Sequence, residues 1–236
     1  MKLFFGQIEG DNAFLNEDES HHFSKVLRGK EGDIIHITDG AGNMAKCEVN
    51  HVTKKIVEAK VLELQTAFEK KNYYIHVAIA PTKTMERLEF FLEKATEIGF
   101  DEVTFINSFH SERKNLKIER IEKIIQSATK QSLKAYFPKI NDLTKFNEFI
   151  KQDFSDYKKC IAHCESDIER TPYREVLATE PSKILIMIGP EGDFSRDEIK
   201  AAYENGFNGI SLGQQRFRTE TAALQAVFAT DWELNK

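Results

Sequence analysis

The sequence predicts an α/β protein, in which a small, mostly β N-terminal domain precedes a larger domain built on a parallel sheet. Three observations carry that expectation. Short β-branched runs, separated by Asp39-Gly40 and Gly42-Asn43, crowd the first seventy residues. After Asn72, apolar strand-like runs alternate with longer amphipathic segments, the rhythm of a parallel sheet with crossover helices. A polar, charged stretch from Gln65 to Asn72 stands between the two regimes as a linker.

In the first part, Ile34–Thr38, Cys47–Val52 and Ile56–Val61 are expected strands. Asp-Gly between such runs is a hairpin signal. "SHHFSKVLR" (Ser20–Arg28) is expected to make one or two helical turns, and the whole to form a barrel or sandwich. In the second part, "YYIHVAIAP" is a buried strand stopped by Pro81. Leu88, Phe91, Leu92, Ala95 and Ile98 recur at helical spacing, and Gly99 suits a left-handed C-cap. "EVTFINS" is the next strand, and "IERIEKIIQSATKQSLKAYF" a second long helix. "KKCIAH" and "KILIMIG" are strands, followed by a helix from about Arg196 to Asn205. "GISLG" is a short strand, and "ETAALQAVFATDWEL" the closing helix. The expected boundaries are 1–70 and 72–236.

Bulk properties bound the function. Among 236 residues, 41% are hydrophobic and 30% charged, no apolar run is long enough to cross a membrane, and the N-terminus lacks signal-peptide features. Three cysteines, Cys47, Cys160 and Cys164, make no disulfide framework; a reduced cytoplasmic protein is expected. A net charge of −5 gives no overall attraction to nucleic acid, so any such contact needs a local basic face. Candidate faces are His21, His22, Lys25 and Arg28, and the stretch from Arg113 to Lys139. Lys114, Lys117, Lys123 and Lys130 are assigned to solvated surface.

Chemistry concentrates in two loops. In "IMIGPEGDFSRDE", a buried strand runs into Gly189-Pro190-Glu191-Gly192, at the carboxyl end where parallel sheets bind ligands. The glycines allow close backbone approach, Pro190 stiffens the turn, and Ser195 with Glu198 reads as a capping box. No phosphate-binding glycine motif is present, and Glu191 and Asp193 oppose an anion, so the loop suits a neutral or cationic ligand. In "SLGQQRFRTETAALQAV", Gly213 follows a strand, and Arg216, Phe217 and Arg218 precede a helix with Thr219 as expected N-cap. Arginines there suit phosphate, a carboxylate or a base edge.

Together, "IGPEGDFS" and "LGQQRFRTETAA" resemble the two signature loops of the SPOUT methyltransferases. More narrowly, they resemble the family that methylates N3 of a uridine in small-subunit (16S) ribosomal RNA with S-adenosylmethionine. "HHFSKVLRGKEGD", "KTMERLEFFLEKATEIG", "SFHSERK" and "ATKQS" match in the same order. The resemblance implies a C-terminal trefoil-knotted SPOUT domain with a parallel sheet, an N-terminal PUA-like β-barrel that grips RNA, and a homodimer acting on ribosomal RNA or the assembled small subunit. By position it implies cofactor contacts at Ala162, His163, Ile188, Gly189, Gly192, Leu212, Gly213, Arg216, Phe217 and Thr221. Arg218 would stabilise the developing uracil anion, and Glu220 would accept the proton or simply open the helix. Lys25, Arg28 and Arg113 are the RNA contacts implied. No metal is expected, and Cys160 and Cys164 are taken as core thiols.

The sequence departs from the family pattern at Gly192-Asp193, where Gly-Gly is common, at Gln215, where a basic residue is common, and in "ATKQSLK", which has lysines where a glutamate and an arginine are usual. Three other functions compete: a SPOUT enzyme for tRNA or another ribosomal base, a non-catalytic RNA-binding or assembly factor, and a nucleotide-phosphate enzyme. The intact glycines and the "RTETA" run disfavour the assembly factor. The missing phosphate loop disfavours the nucleotide enzyme.

Overall fold

The computed structural model describes residues 2–235, and they divide into two compact units. The first comprises the chain up to Lys70 together with Thr129–Phe137, and the second Lys71–Ala128 together with the chain from Pro138. In the first unit, strands β1 (Leu3–Glu9), β2 (Asn12–Leu15), β3 (Ile34–Thr38), β4 (Met44–Val52) and β5 (Val57–Gln65) close a barrel in the order β1-β2-β5-β4-β3. The barrel seam is a parallel pairing of β1 with β3. Alternate strand residues face inward, giving a core of Phe4, Ile35, Ile37, Val49 and Val57, as the two-residue period of a half-buried strand requires, and Phe23 joins them from outside the strands. Gly40 (φ 73°) and Gly42 (φ 105°) carry the β3–β4 turn in left-handed backbone.

The expected helical turns appear as α1 (Glu17–His21), capped by Asn16 Oδ1 accepting from Glu19 N at 2.8 Å, then a π-helical turn at His22–Val26. Such turns recur at functional sites. Lys130, expected as solvated surface, instead bonds both carboxylate oxygens of the buried Glu19 (2.8 and 2.9 Å). Its aliphatic stem makes this possible, since a lysine can bury methylenes while its head finds a partner.

The second unit is a seven-stranded parallel sheet. Its strands are β6 (Tyr74–Ile79), β7 (Glu102–Asn107), β8 (Lys139–Lys145), β9 (Lys158–Ala162), β10 (Thr171–Pro172), β11 (Lys183–Ile188) and β12 (Asn208–Ser211), in the order β10-β12-β9-β11-β6-β7-β8. Helix α2 (Met85–Ile98) buries Leu88, Phe91, Leu92 and Ala95 and ends at Gly99 with φ 113°, as its spacing predicts. Helix α3 (Ile118–Gln131) is shorter than expected, because Leu133 turns left-handed (φ 57°) and Lys134 N bonds back to Thr129 O. Short helices α4 (Phe146–Phe149) and α5 (Tyr173–Leu177) follow, then α6 (Arg196–Glu204) with the predicted Ser195/Glu198 capping box, and α7 (Thr219–Leu234). Arg218, not Thr219, caps α7: its carbonyl already accepts the first helical bond, from Ala222 N at 2.7 Å. Among the described residues, no helix is long and apolar enough to cross a membrane.

Candidate functional site

Register brings distant parts of the chain to one edge of the sheet. Ile210 pairs with Ala162, Ala162 with Ile188, Ile188 with Ile79, and Ile79 with Phe105. This single row crosses five parallel strands at their carboxyl ends, beside the point where the strand order reverses. Ligands in open α/β sheets bind at that crevice. The loops after β12, β9, β11, β6 and β7 therefore issue side by side, and both signature loops are among them.

The loop after β11 has its own scaffold. Gly189 lies against Phe194, whose ring and amide stand 3.1–3.2 Å from where a Cβ would be. Asp193 adopts left-handed backbone (φ 64°), which glycine tolerates and aspartate accepts at a cost. Its carboxylate accepts from Phe194 N (2.8 Å) and from Cys164 N (2.7 Å), so the departure from Gly-Gly ties this loop to the end of β9. Glu191 Oε1 accepts from Lys83 N at 3.0 Å and lies 3.9 Å from Arg87.

After β9, Ala162 is half-buried and His163 buried. Tyr203 donates its hydroxyl hydrogen to Glu169 O (2.7 Å). His163 Nε2, 3.0 Å from the Tyr203 hydroxyl oxygen, must therefore be the donor in their bond, and Nδ1 remains a buried acceptor without a partner. Burial, helped by Arg170, lowers the His163 pKa and keeps the ring neutral. Cys160 is a core thiol, pushed up to about 12 by burial. Cys164 is exposed, contrary to its expected place in the core, because the chain leaves the sheet before it.

After β12, Leu212 is half-buried and residues 213–218 are exposed. Gly213 (φ 137°) has open space where a Cβ would sit, so its absent side chain leaves peptide groups accessible. Gly213, Leu212, Phe228 and Trp232 help line a cleft of about 530 Å³. Arg216, Arg218 and Thr221 are exposed and Phe217 is 36% exposed, whereas Glu220 is 94% buried with Oε2 unpartnered. Arg87 Nε stands 3.9 Å from Glu220 Oε1, so one guanidinium lies between the carboxylates of both signature loops.

The remaining candidates divide. Arg113 reaches this edge, but its guanidinium already donates to Thr82 O (3.2 Å) and Lys83 O (2.7 Å), fixing the loop after β6. Gly192 faces His110, whose Cβ lies 3.1 Å from where its own would be. Lys25 and Arg28 lie in the other unit, exposed on and after the π-helical turn, with Arg28 at φ 53°. Arg87, Phe109, His110 and the tethering role of Asp193 carry no motif signal. Only the motif context of "KTMER" and "SFHSERK" could have drawn attention to the first three.

Residues 69–230 match the family model described as RNA methyltransferase domain, and residues 15–62 the one described as RNA methyltransferase PUA domain. RNA methyltransferases are thus the class that this fold and edge define. The ribosomal RNA small subunit methyltransferase E of Buchnera aphidicola is 30% identical, over 92% of this chain and 86% of its own. That of Bacillus subtilis is 28% identical over 96% and 93%. A probable rRNA-methyltransferase from Porphyromonas gingivalis superposes with a TM-score of 0.84 at 39% identity, covering 96% and 95% of the two chains. The Neisseria gonorrhoeae ribosomal RNA small subunit methyltransferase E, solved with S-adenosyl methionine, gives 0.78 at 26% over 96% and 95%. The chain belongs to the family of ribosomal RNA small subunit methyltransferases E.

Proposed function

We propose that the protein transfers a methyl group from S-adenosylmethionine to N3 of a uridine in small-subunit ribosomal RNA. The observation that carries this is the row Ile210–Ala162–Ile188, which aligns the loops after β12, β9 and β11 at one crevice. The cofactor suits these residues: Gly213 leaves a cradle open, His163 offers an unpartnered acceptor, and the carboxylates of Glu191, Asp193 and Glu220 favour a cation. Ala162, His163, Ile188, Gly189, Gly192, Leu212, Gly213, Arg216, Phe217 and Thr221 would hold it. When bound, it supplies an electrophilic methyl group. Uracil N3 attacks only after losing its proton, and Glu220, with a free buried oxygen, is suited to receive that proton. Arg218, exposed at the helix entrance, would meet the anion spreading onto the uracil oxygens. Arg87 would keep Glu220 oriented.

The interleaving of β11 between β6 and β9, and of β12 between β9 and β10, supports a knotted C-terminal region. Phe228 and Trp232, stacked at 6.1 Å and both exposed beside the cleft, support a homodimer through α7. A barrel over 1–70 would grip RNA through Lys25 and Arg28, with the transfer domain over 72–236 and Arg113 at its RNA side, in the cytoplasm with the ribosomes. Calorimetry with S-adenosylmethionine on wild type, Gly189→Val and Arg218→Ala tests this, followed by reverse-transcription stops on treated small subunits. Saturable binding lost in Gly189→Val, kept in Arg218→Ala, and a stop at one uridine are expected. A folded protein that binds no cofactor would refute it.

A further inference from the structure

We propose that Phe109 is a stacking platform for an unpaired RNA base, held in place by His110 and the loop after β11. This rests on the methyl-transfer function proposed above. Phe109 is 76% exposed, more than any other large apolar side chain among the described residues. Exposure alone decides nothing, since single apolar residues on surfaces are ordinary. What distinguishes Phe109 is that the fold immobilises the turn carrying it.

That turn begins directly after β7, on the site edge. Ser108 and Ser111 bond each other three ways, Ser108 N to Ser111 Oγ, Ser111 N to Ser108 O, and hydroxyl to hydroxyl, each at 3.0 Å. Phe109 N donates to Glu198 Oε1 at 2.7 Å. His110 meets the Phe109 ring edge-on, with centroids 4.9 Å apart at 79°. Its Nδ1 lies 3.0 Å from Asp193 O, and since a carbonyl only accepts, that nitrogen carries the hydrogen. His110 fits because Gly192 has no side chain in its way. Two loops thus cooperate to present one bare aromatic face beside the crevice.

The surroundings select the partner. Lys83, Arg113 and Lys114 lie on the two neighbouring loops, while Glu112 is paired with Lys83 at 3.0 Å. His110, Glu112 and Lys114, next to Phe109 in sequence, are polar and exposed, unlike the broad apolar patch that a protein partner needs. A flat π-face on a loop that also carries Arg113 and Lys114 suits a splayed-out base beside its phosphates, which is how unpaired RNA is commonly recognised.

Phe109→Ala, Phe109→Leu and Phe109→Trp should be compared with wild type for methyl transfer to unmodified small subunits. Stacking energies predict a kcat/KM about tenfold lower or worse for Ala and for Leu, near wild type for Trp. Cofactor affinity and sedimentation should not change in any variant. Equal kcat/KM for Ala and wild type, full rescue by Leu, or an altered oligomeric state would overturn the proposal. Should wild type transfer no methyl, the failure belongs to the function proposed above. The platform is then read from Phe109→Trp alone: its added fluorescence must quench on addition of unpaired oligouridylate, and an unchanged signal overturns the proposal.

Discussion

Asp193→Gly tests whether the tether between the loops after β11 and β9 matters, because it restores the residue common in the family. Glycine removes the penalty for left-handed backbone at φ 64°, about 1 kcal/mol, but returns a similar amount by loosening the unfolded chain. Those two effects nearly cancel. What remains is the loss of two charge-assisted hydrogen bonds, to Cys164 N and Phe194 N. In a half-exposed setting each contributes about 1 kcal/mol, so about 2 kcal/mol is lost in all. If binding requires both loops in their native positions, S-adenosylmethionine affinity falls about thirtyfold, with a Tm drop of at most about 8 °C. Asp193→Asn, which tolerates the backbone and keeps one acceptor, should lose much less. Calorimetric affinity equal to or better than wild type in Asp193→Gly would refute the reasoning.

Two further outcomes concern stability. Burial lowers the His76 pKa to about 4, with Lys139 assisting and Glu102 opposing. The unfolded chain therefore takes up a proton below about pH 6.5 that the fold refuses until about 4. Stability from the neutral ring is complete above about pH 6.5 and lost as pH falls through that window, about 3 kcal/mol in all. His76→Asn should flatten the dependence of Tm on pH there; an equally steep dependence would remove His76 as its source. Gly209→Ala places a Cβ onto Tyr203 Oη and 2.9 Å from His163 Nε2, which should cost about 1–3 kcal/mol. Tyr203→Phe in the same chain should recover part of the loss in thermal unfolding, and strict additivity would show that the overlap is not the cause.

Legibility followed local chemistry. Helix α2 can be read because its core stripe and Gly99 are adjacent signals, and β11 because five apolar residues in a row, Ile184 to Ile188, suit a strand buried on both faces. Strand β8 escaped notice because it lies at the sheet edge, where most of Lys139–Lys145 is only half-buried and no alternation builds up. Strand β10 has two residues, too few to carry a pattern. At the site, the glycine loops stood out, since missing side chains are visible in sequence. The use of a missing side chain is not: the resemblance implies a cofactor contact at Gly192, and nothing in its sequence tells that His110 also packs where its Cβ would be. An exposed Phe109 likewise looks the same in sequence as a buried one. Arg113 stands out by its charge and its place in "SFHSERK", neither of which reveals the two backbone carbonyls that take its guanidinium.

Strand β11 occupies the position from which two partners can be held at a fixed separation. On one side stand β9 and β12, whose loops offer the open backbone suited to the methyl donor; on the other stand β6 and β7, whose loops carry Lys83, Phe109 and Arg113. The loop after β11 bonds to both: Asp193 accepts from Cys164 on the first side and from His110 on the second, and Glu191 accepts from Lys83. In a transfer that needs nucleophile, methyl carbon and sulfur in line, much of the acceleration comes from holding the two reactants at a set distance and angle. A stiff turn bonded on both flanks does this without touching either reacting atom. Besides the cofactor contacts proposed for Gly189 and Gly192, Gly-Pro-Glu-Gly-Asp would thus keep the two sides in register.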